Sequence, residues 1–236
     1  MDSLVRPTTG AVLYVGPSLP GADRSALHGP FEVRPPIRRG DLPAAVAAGV
    51  GLVGIVDGEF YQRLAVSPKE ILAALQAGCQ VIGGASMGAL RAAELWPHGM
   101  SGAGQIYAWF RGGQVTRDDD VAVSYSHDED DYRLLTVPWV NVKWLMQVAG
   151  AEGWLGTPER RRVGQAARAI HWEVRTWSQV CRRARLTEAQ TRTVLRQAAD
   201  PNHDRKRLDA LGTVEAVRAA AQRQRASTVM PGTGAS

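Results

Sequence analysis

The sequence predicts an α/β fold: a mostly parallel sheet with flanking helices, followed by an all-helical C-terminal region. Three observations carry this. Short apolar runs alternate with helical patterns through the first half of the chain, the rhythm of crossovers between parallel strands. Gly, Pro and Asp punctuate the ends of those runs. After Thr157-Pro158-Glu159 the strand signals stop and helical spacing continues. The expected division is an α/β core domain over residues 1–150, a helical region over 151–226 and a disordered tail over 227–236.

Val12-Leu13-Tyr14-Val15 is the first strand and ends in Gly16-Pro17-Ser18. Phe31-Glu32-Val33 is a second, broken by Pro35-Pro36. Residues 41–48 read as a helix capped by Asp41. Residues 51–56 form a buried strand that ends in Asp57-Gly58. Ser67-Pro68-Lys69-Glu70 is a capping box with proline in the first turn. The helix it starts runs to Gly78, which suits a left-handed stop. Gln80 to Gly84 is the next strand and leads into a helix at Ser86. Residues 105–110 read as a short helix. Residues 138–149 read as an apolar helix with Trp139 and Trp144 in the core.

In the helical region Val163, Ala167, Ile170, Val174, Trp177, Cys181 and Ala184 recur at alternating four- and three-residue steps. That spacing is a heptad seam on one long helix. Packing within the chain is the simplest reading; a homodimer or a partner protein fits the same seam. Thr187 and Gln190 form a second capping box, and a last helix spans 214–225.

Composition narrows the function classes. The chain has 236 residues, 44% hydrophobic and 22% charged, the proportions of a soluble globular protein. No apolar run is long enough to span a bilayer, and the N-terminal residues lack signal-peptide character. Cys79 and Cys181, the two cysteines, have no metal-ligand spacing. A cytoplasmic location is therefore expected. The net charge of +5 comes from arginines concentrated after residue 157. It suits an acidic peptide or protein, since no nucleic-acid-binding motif accompanies it. Neither nucleic acid nor membrane is an expected partner, and no metal or cofactor is expected.

The chemistry concentrates in Gly84-Ala85-Ser86-Met87-Gly88, which fits G-x-S-x-G. In hydrolases that pattern is a strained strand-to-helix turn presenting a nucleophile, and small neighbours admit the substrate. The helix behind Ser86 would offer free N–H groups to a ligand. Ser86 equally fits an ordinary N-cap. Ser18, Asp57 and Ser86 all follow strands, so a parallel sheet would bring them to one edge, where α/β proteins bind ligands. Asp57 is the best local carboxylate for orienting a base, positioning a water or capping a turn. None of His28, His98, His127, His171 or His203 is placed as a base by the spacing. Arg91 and Glu94, three apart on the Ser86 helix, read as an ion pair or as an anion-binding arginine and its partner. Asp118-Asp119-Asp120 and Asp128-Glu129-Asp130-Asp131 could bind a metal, though solvated loops are the simpler reading.

Leu13-Tyr14-Val15-Gly16-Pro17-Ser18-Leu19-Pro20, Gly54-Ile55-Val56-Asp57-Gly58-Glu59-Phe60, Lys69-Glu70-Ile71-Leu72 and Gly84 through Leu95 resemble the TfuA-like family. Asp118 to Val123 and Val140-Asn141-Val142 continue the resemblance, which covers roughly residues 11 to 150. It implies an accessory protein for thioamidation of a ribosomally made peptide, working with a YcaO enzyme. It further implies hydrolysis of a thiocarboxylated, ubiquitin-like sulfur carrier protein, or a non-catalytic activator or scaffold that binds the YcaO enzyme. The precursor peptide is a third partner consistent with it. The expected catalytic residues are Ser86, Asp57 and Arg91, with Gly16, Ser18, Gly84, Met87, Gly88 and Glu94 expected to contact substrate; of these, the resemblance bears directly on Ser86. At two positions where the family pattern carries histidine, this chain has Pro68 and the Ser124-Tyr125 pair.

Overall fold

The computed structural model describes residues 10–61, 63–126 and 132–229. Five parallel strands form one sheet: β1 (Gly10–Tyr14), β2 (Glu32–Arg34), β3 (Val50–Ile55), β4 (Gln80–Gly84) and β5 (Ser101–Ala103). Their order is β2-β1-β3-β4-β5. The order reverses between β1 and β3, and a doubly wound sheet opens a ligand crevice beyond the strand ends at such a point. The short, small-residue strand β5 carried no apolar signal and was not anticipated from the sequence.

Alternation along the strands divides the core into two faces. Val12, Tyr14, Val53, Ile55 and Val81 pack toward α1 (Asp41–Ala47), α2 (Pro68–Gln76) and α3 (Met87–Leu95). Leu13, Val15, Leu52, Val56 and Ile82 pack toward Ala210, Val214, Val217 and Ala221 of the last helix. The expected capping box of α2 forms, with Ser67 and Glu70 each serving the other's backbone. Helix α1 differs from expectation. Gly40 is its N-cap and no side chain caps it, while Asp41 accepts instead from the Arg38 N–H at 2.7 Å.

Helix α4 (Gly104–Arg111) follows β5, and α5 (Trp139–Ala151) lies beyond a loop. The expected single helix along the heptad seam is instead two: α6 (Thr157–Arg168) and α7 (Trp177–Arg183). The buried Arg175 guanidinium ends α6 by donating to the carbonyls of Ala167 (2.9 Å) and Ile170 (3.3 Å). Thr176 and Gln179 then form a capping box that starts α7. Most of the seam packs within the chain, against α5 and α8 (Glu188–Ala198), but Val174 is exposed.

Helix α9 runs over Arg205–Val229, well beyond the expected 214–225. Asp204 begins it early by accepting from the Arg207 N–H at 2.9 Å. It includes Ser227–Val229, which were expected in the disordered tail; the rest of that segment lies outside the described residues, as do His127 and Asp128 to Asp131. Helix α9 returns to the sheet, so the C-terminal helix shares a core with β1, β3 and β4.

Candidate functional site

Beyond the carboxyl ends of β1, β3 and β4 lies a cavity of about 160 Å³, lined among others by Asp57, Glu59, Phe60, Ser86, Tyr125 and Trp172. One polar corner of it is closed. The Asp57 carboxylate, 1% exposed, accepts from the Gly16 N–H (2.9 Å), the Ser18 N–H (3.0 Å) and the Ser18 hydroxyl (2.7 Å). Gly16 and Ser18 therefore act through Asp57, which fixes the loop after β1. Gly16 also lies against Pro36, where an added Cβ would come within 2.4 Å of Cγ.

Ser86 is different. It occupies the N-cap position of α3 with φ −118° and ψ −120°, and its side chain makes no capping hydrogen bond. It is 8% exposed and lines the cavity. The backbone strain of the turn falls on Ala85, whose φ is +62°, not on the serine as in a hydrolase elbow. Such a conformation costs a non-glycine residue roughly 1–3 kcal/mol. The Ser86 N–H donates back to Gly84 O at 2.8 Å.

The turn's glycines serve packing. A Cβ on Gly88 would lie 1.8 Å from Ile55 O, and one on Gly84 2.0 Å from Thr213 Oγ1. They let α3 and α9 approach the sheet, so substrate access is not needed to account for them. The N–H groups at the start of α3 are mostly engaged as well. Gly88 donates to Val56 O (3.2 Å), and Ala89 and Leu90 donate to Ser86 O (3.0 and 3.2 Å). Of the expected row of open donors, the Met87 N–H is the one left beside the serine.

Arg91 points away from this cavity. Its Nε donates to Val66 O (3.1 Å) and its NH1 to Glu94 (2.7 Å), and it lines a neighbouring cavity together with Met87. Met87 thus borders both spaces. Glu94 lines neither.

Two further groups of the site were not singled out as site residues from the sequence. Glu59 accepts from the Tyr125 hydroxyl (3.3 Å) and from Arg38 (3.2 Å). Burial, then the Glu59 charge, pushes the Tyr125 phenol well above its ordinary range, so it stays a neutral donor. The spacing Asp57-Gly58-Glu59 put a second carboxylate in the same turn and was the available signal. Behind the wall, Lys206 of α9 is 4% exposed and donates from Nζ to Val121 O at 2.9 Å. Burial lowers its pKa, opposed by the charges of Asp57 and Asp204. Nothing in Asp204-Arg205-Lys206-Arg207 distinguishes it from an exposed basic helix start.

No histidine lines the cavity among the described residues. His171 caps a short 3-10 turn and stacks beside Trp172, His203 accompanies Gln197 O, and His28 and His98 are exposed. The Asp118–Asp120 segment is a 3-10 turn rather than a solvated loop. Asp120 is 1% exposed and ion-paired with Arg168, and Asp119 pairs with Arg117. Among the described residues no group of three or more His, Cys, Asp or Glu could hold a metal, and no helix is long and apolar enough to cross a membrane.

Comparison with curated proteins gives no match. A family model described as TfuA-like protein matches residues 57–176, just over half of the chain. The match begins at Asp57 and contains Glu59, Ser86, Tyr125 and Trp172. It omits the block around Gly16 and Ser18, and it extends past residue 150 into the helical region through α6. The chain belongs to the TfuA-like family.

Proposed function

We propose that this chain supplies sulfide for YcaO-dependent thioamidation by hydrolysing a thiocarboxylated carrier protein, with Ser86 as nucleophile. One observation carries the reading: a serine hydroxyl at the switch-point edge of the sheet makes no hydrogen bond among the described residues and lines a cavity. A hydroxyl left open to a cavity is available to a ligand or to water. Family membership supports the thioamidation setting.

In the proposed step the Ser86 oxygen attacks the thiocarboxyl carbon and the C–S bond breaks. The acyl group passes to the serine ester and the hydroxyl proton leaves with sulfur as HS⁻. Water then cleaves the ester, releasing a carboxylate and a proton and restoring the hydroxyl. Glu59 is the carboxylate of the cavity suited to accept the serine proton. The Met87 N–H and the Tyr125 hydroxyl are donors suited to the developing oxyanion.

A second reading, a non-catalytic activator that binds the YcaO enzyme, is favoured by the engaged N–H groups of α3 and the absence of a cavity histidine among the described residues. Sulfide release from thiocarboxylated carrier protein separates the two. Under hydrolysis, Ser86→Ala loses at least about 10²-fold in rate at unchanged fold. If the variant releases sulfide as fast as the parent, Ser86 is not the nucleophile. If neither releases sulfide while both stimulate thioamidation, the activator reading stands.

A further inference from the structure

Lys206, the second residue of α9, is buried without an ion-pair partner among the described residues. Its Nζ makes one hydrogen bond among them, to Val121 O at 2.9 Å. Burying an ammonium with no carboxylate in contact is strongly unfavourable, and a methionine would fill similar space without that cost. What the ammonium holds is a wall of the Ser86 cavity, which the run Val121 to Tyr125 lines without a break. The far end of this run is well fastened. The Ser124 N–H donates to Thr136 Oγ1 (2.7 Å), and Ser124 O accepts from the Leu135 N–H (2.8 Å). At the near end, the Val121 and Ala122 N–H groups make only long contacts within their own turn, to Asp118 O (3.5 Å) and Asp119 O (3.4 Å). Arg168 fixes the Asp120 side chain, and the Val121 side chain packs with Ile106 and Val140, but neither contact orients the Val121 carbonyl. Lys206 does, and it is itself seated by Asn141. The Asn141 Oδ1 accepts the Lys206 N–H (3.0 Å), and its Nδ2 donates to Asp204 (2.8 Å).

We propose that Lys206 is a positioning residue of the Ser86 site: through Val121 O it sets the run 121–125, and with it the place of the Tyr125 hydroxyl at the cavity. Lys206 does not line the cavity, so it acts through that wall. The effect reaches Tyr125 because its bond to Glu59 is long, at 3.3 Å, and a small displacement of the wall breaks it. A charged donor also holds a carbonyl more firmly than a neutral one. The Asp57 charge favours the ammonium form of Lys206, so the closed corner of the cavity and its wall support each other. That Tyr125 serves an oxyanion rests on the hydrolytic reading above; its placement by Lys206 does not.

The test follows the NMR signals of the five tyrosines, labelled with carbon-13 at Cζ, in the full chain. Tyr125→Phe and Tyr14→Phe assign the two signals that matter. Tyr14, 2% exposed in the core, reports the fold as a whole, and Tyr125 reports the wall. Lys206→Met is expected to move the Tyr125 signal toward that of a solvent-exposed tyrosine while Tyr14 stays in place. Lys206→Gln keeps a donor for Val121 O without the charge, and should leave Tyr125 nearer its parent position than Lys206→Met does. An unmoved Tyr125 in Lys206→Met, a larger displacement in Lys206→Gln, or Tyr14 moving together with Tyr125 in both variants overturns the proposal. The kinetic counterpart is sulfide release, where Lys206→Met should lower kcat at least about tenfold and change KM less than about threefold. A parent that releases no sulfide sinks the hydrolytic reading, and the Tyr125 signal still decides whether Lys206 places the wall.

Discussion

Ser18 and Ser86 sit at the same edge of one sheet, and both are nearly enclosed, at 4% and 8% exposure. Their hydrogen bonds are opposite. Ser18 gives both its N–H and its hydroxyl to Asp57. Ser86 turns its N–H back to Gly84, and its hydroxyl makes no hydrogen bond among the described residues. Burial alone does not separate a structural serine from a reactive one. The account of where each donor goes separates the two: one hydroxyl is spent within the fold, and the other is left open to the cavity.

The comparison breaks most severely at Asp57. Asp57→Asn keeps the volume but removes the charge that three donors share. Hydrogen bonds to a charged group are each worth roughly 1.5–3 kcal/mol, so a loss of about 3–5 kcal/mol is expected in urea unfolding. Ser18→Ala removes one of those donors and should cost about 2 kcal/mol. Ser86→Ala removes no bond and should stay within about 0.5 kcal/mol of the parent while altering function. A Ser86→Ala protein as damaged as Ser18→Ala would mean that the hydroxyl is structural after all.

The pattern of the fold was readable where one local signal dominated. Ser67 and Glu70 announced α2, and Gln80 to Gly84 announced β4, because capping chemistry and apolar runs act within a few residues. Ser18, Asp57 and Ser86 were placed on one edge by the crossover rule alone. Part of what was not readable depends on contacts far apart in the chain, and part on local polar groups that hydrophobic spacing does not register. Glycines 84 and 88 fit a reactive turn by spacing, yet their neighbours, Thr213 and Ile55, explain them by packing. Arg175 splits the heptad seam through the nearby carbonyls of Ala167 and Ile170 and the distant one of Val137. Asp204 extends α9 beyond the stretch where hydrophobic spacing was visible.

Lys206 sharpens the account of the Asp57 corner. Its folded pKa is lowered, so between that value and the unfolded value near 10.4 the unfolded chain holds more proton. Stability therefore rises with pH across that window and is flat above it. Each unit of lowering contributes about 1.4 kcal/mol to the rise. Lys206→Met has no ammonium to bury, so the difference in unfolding free energy between parent and variant should shift in the parent's favour as pH climbs toward 10.4. A constant difference would show that Lys206 keeps an ordinary pKa and that hydrogen bonds alone close the corner.

The smallest effect belongs to a third serine. Ser67 resembles Ser18 in that its hydroxyl is engaged: it donates to Glu70 at 2.8 Å and accepts from the Glu70 N–H at 3.3 Å. Burial would raise the Glu70 pKa, but donors from the Ser67 and Gly40 backbones outweigh it and leave the pKa lowered. The charged form is thus favoured by folding. Its contribution, about 1 kcal/mol for a cap, is present above pH 4.3 and is lost as pH falls through the folded value. Glu70→Gln should reproduce that loss at pH 7 and remove the corresponding acid step. If the acid limb of the parent and the variant coincide, the capping box is not held by charge, and Ser67 moves away from Ser18 toward the open condition of Ser86.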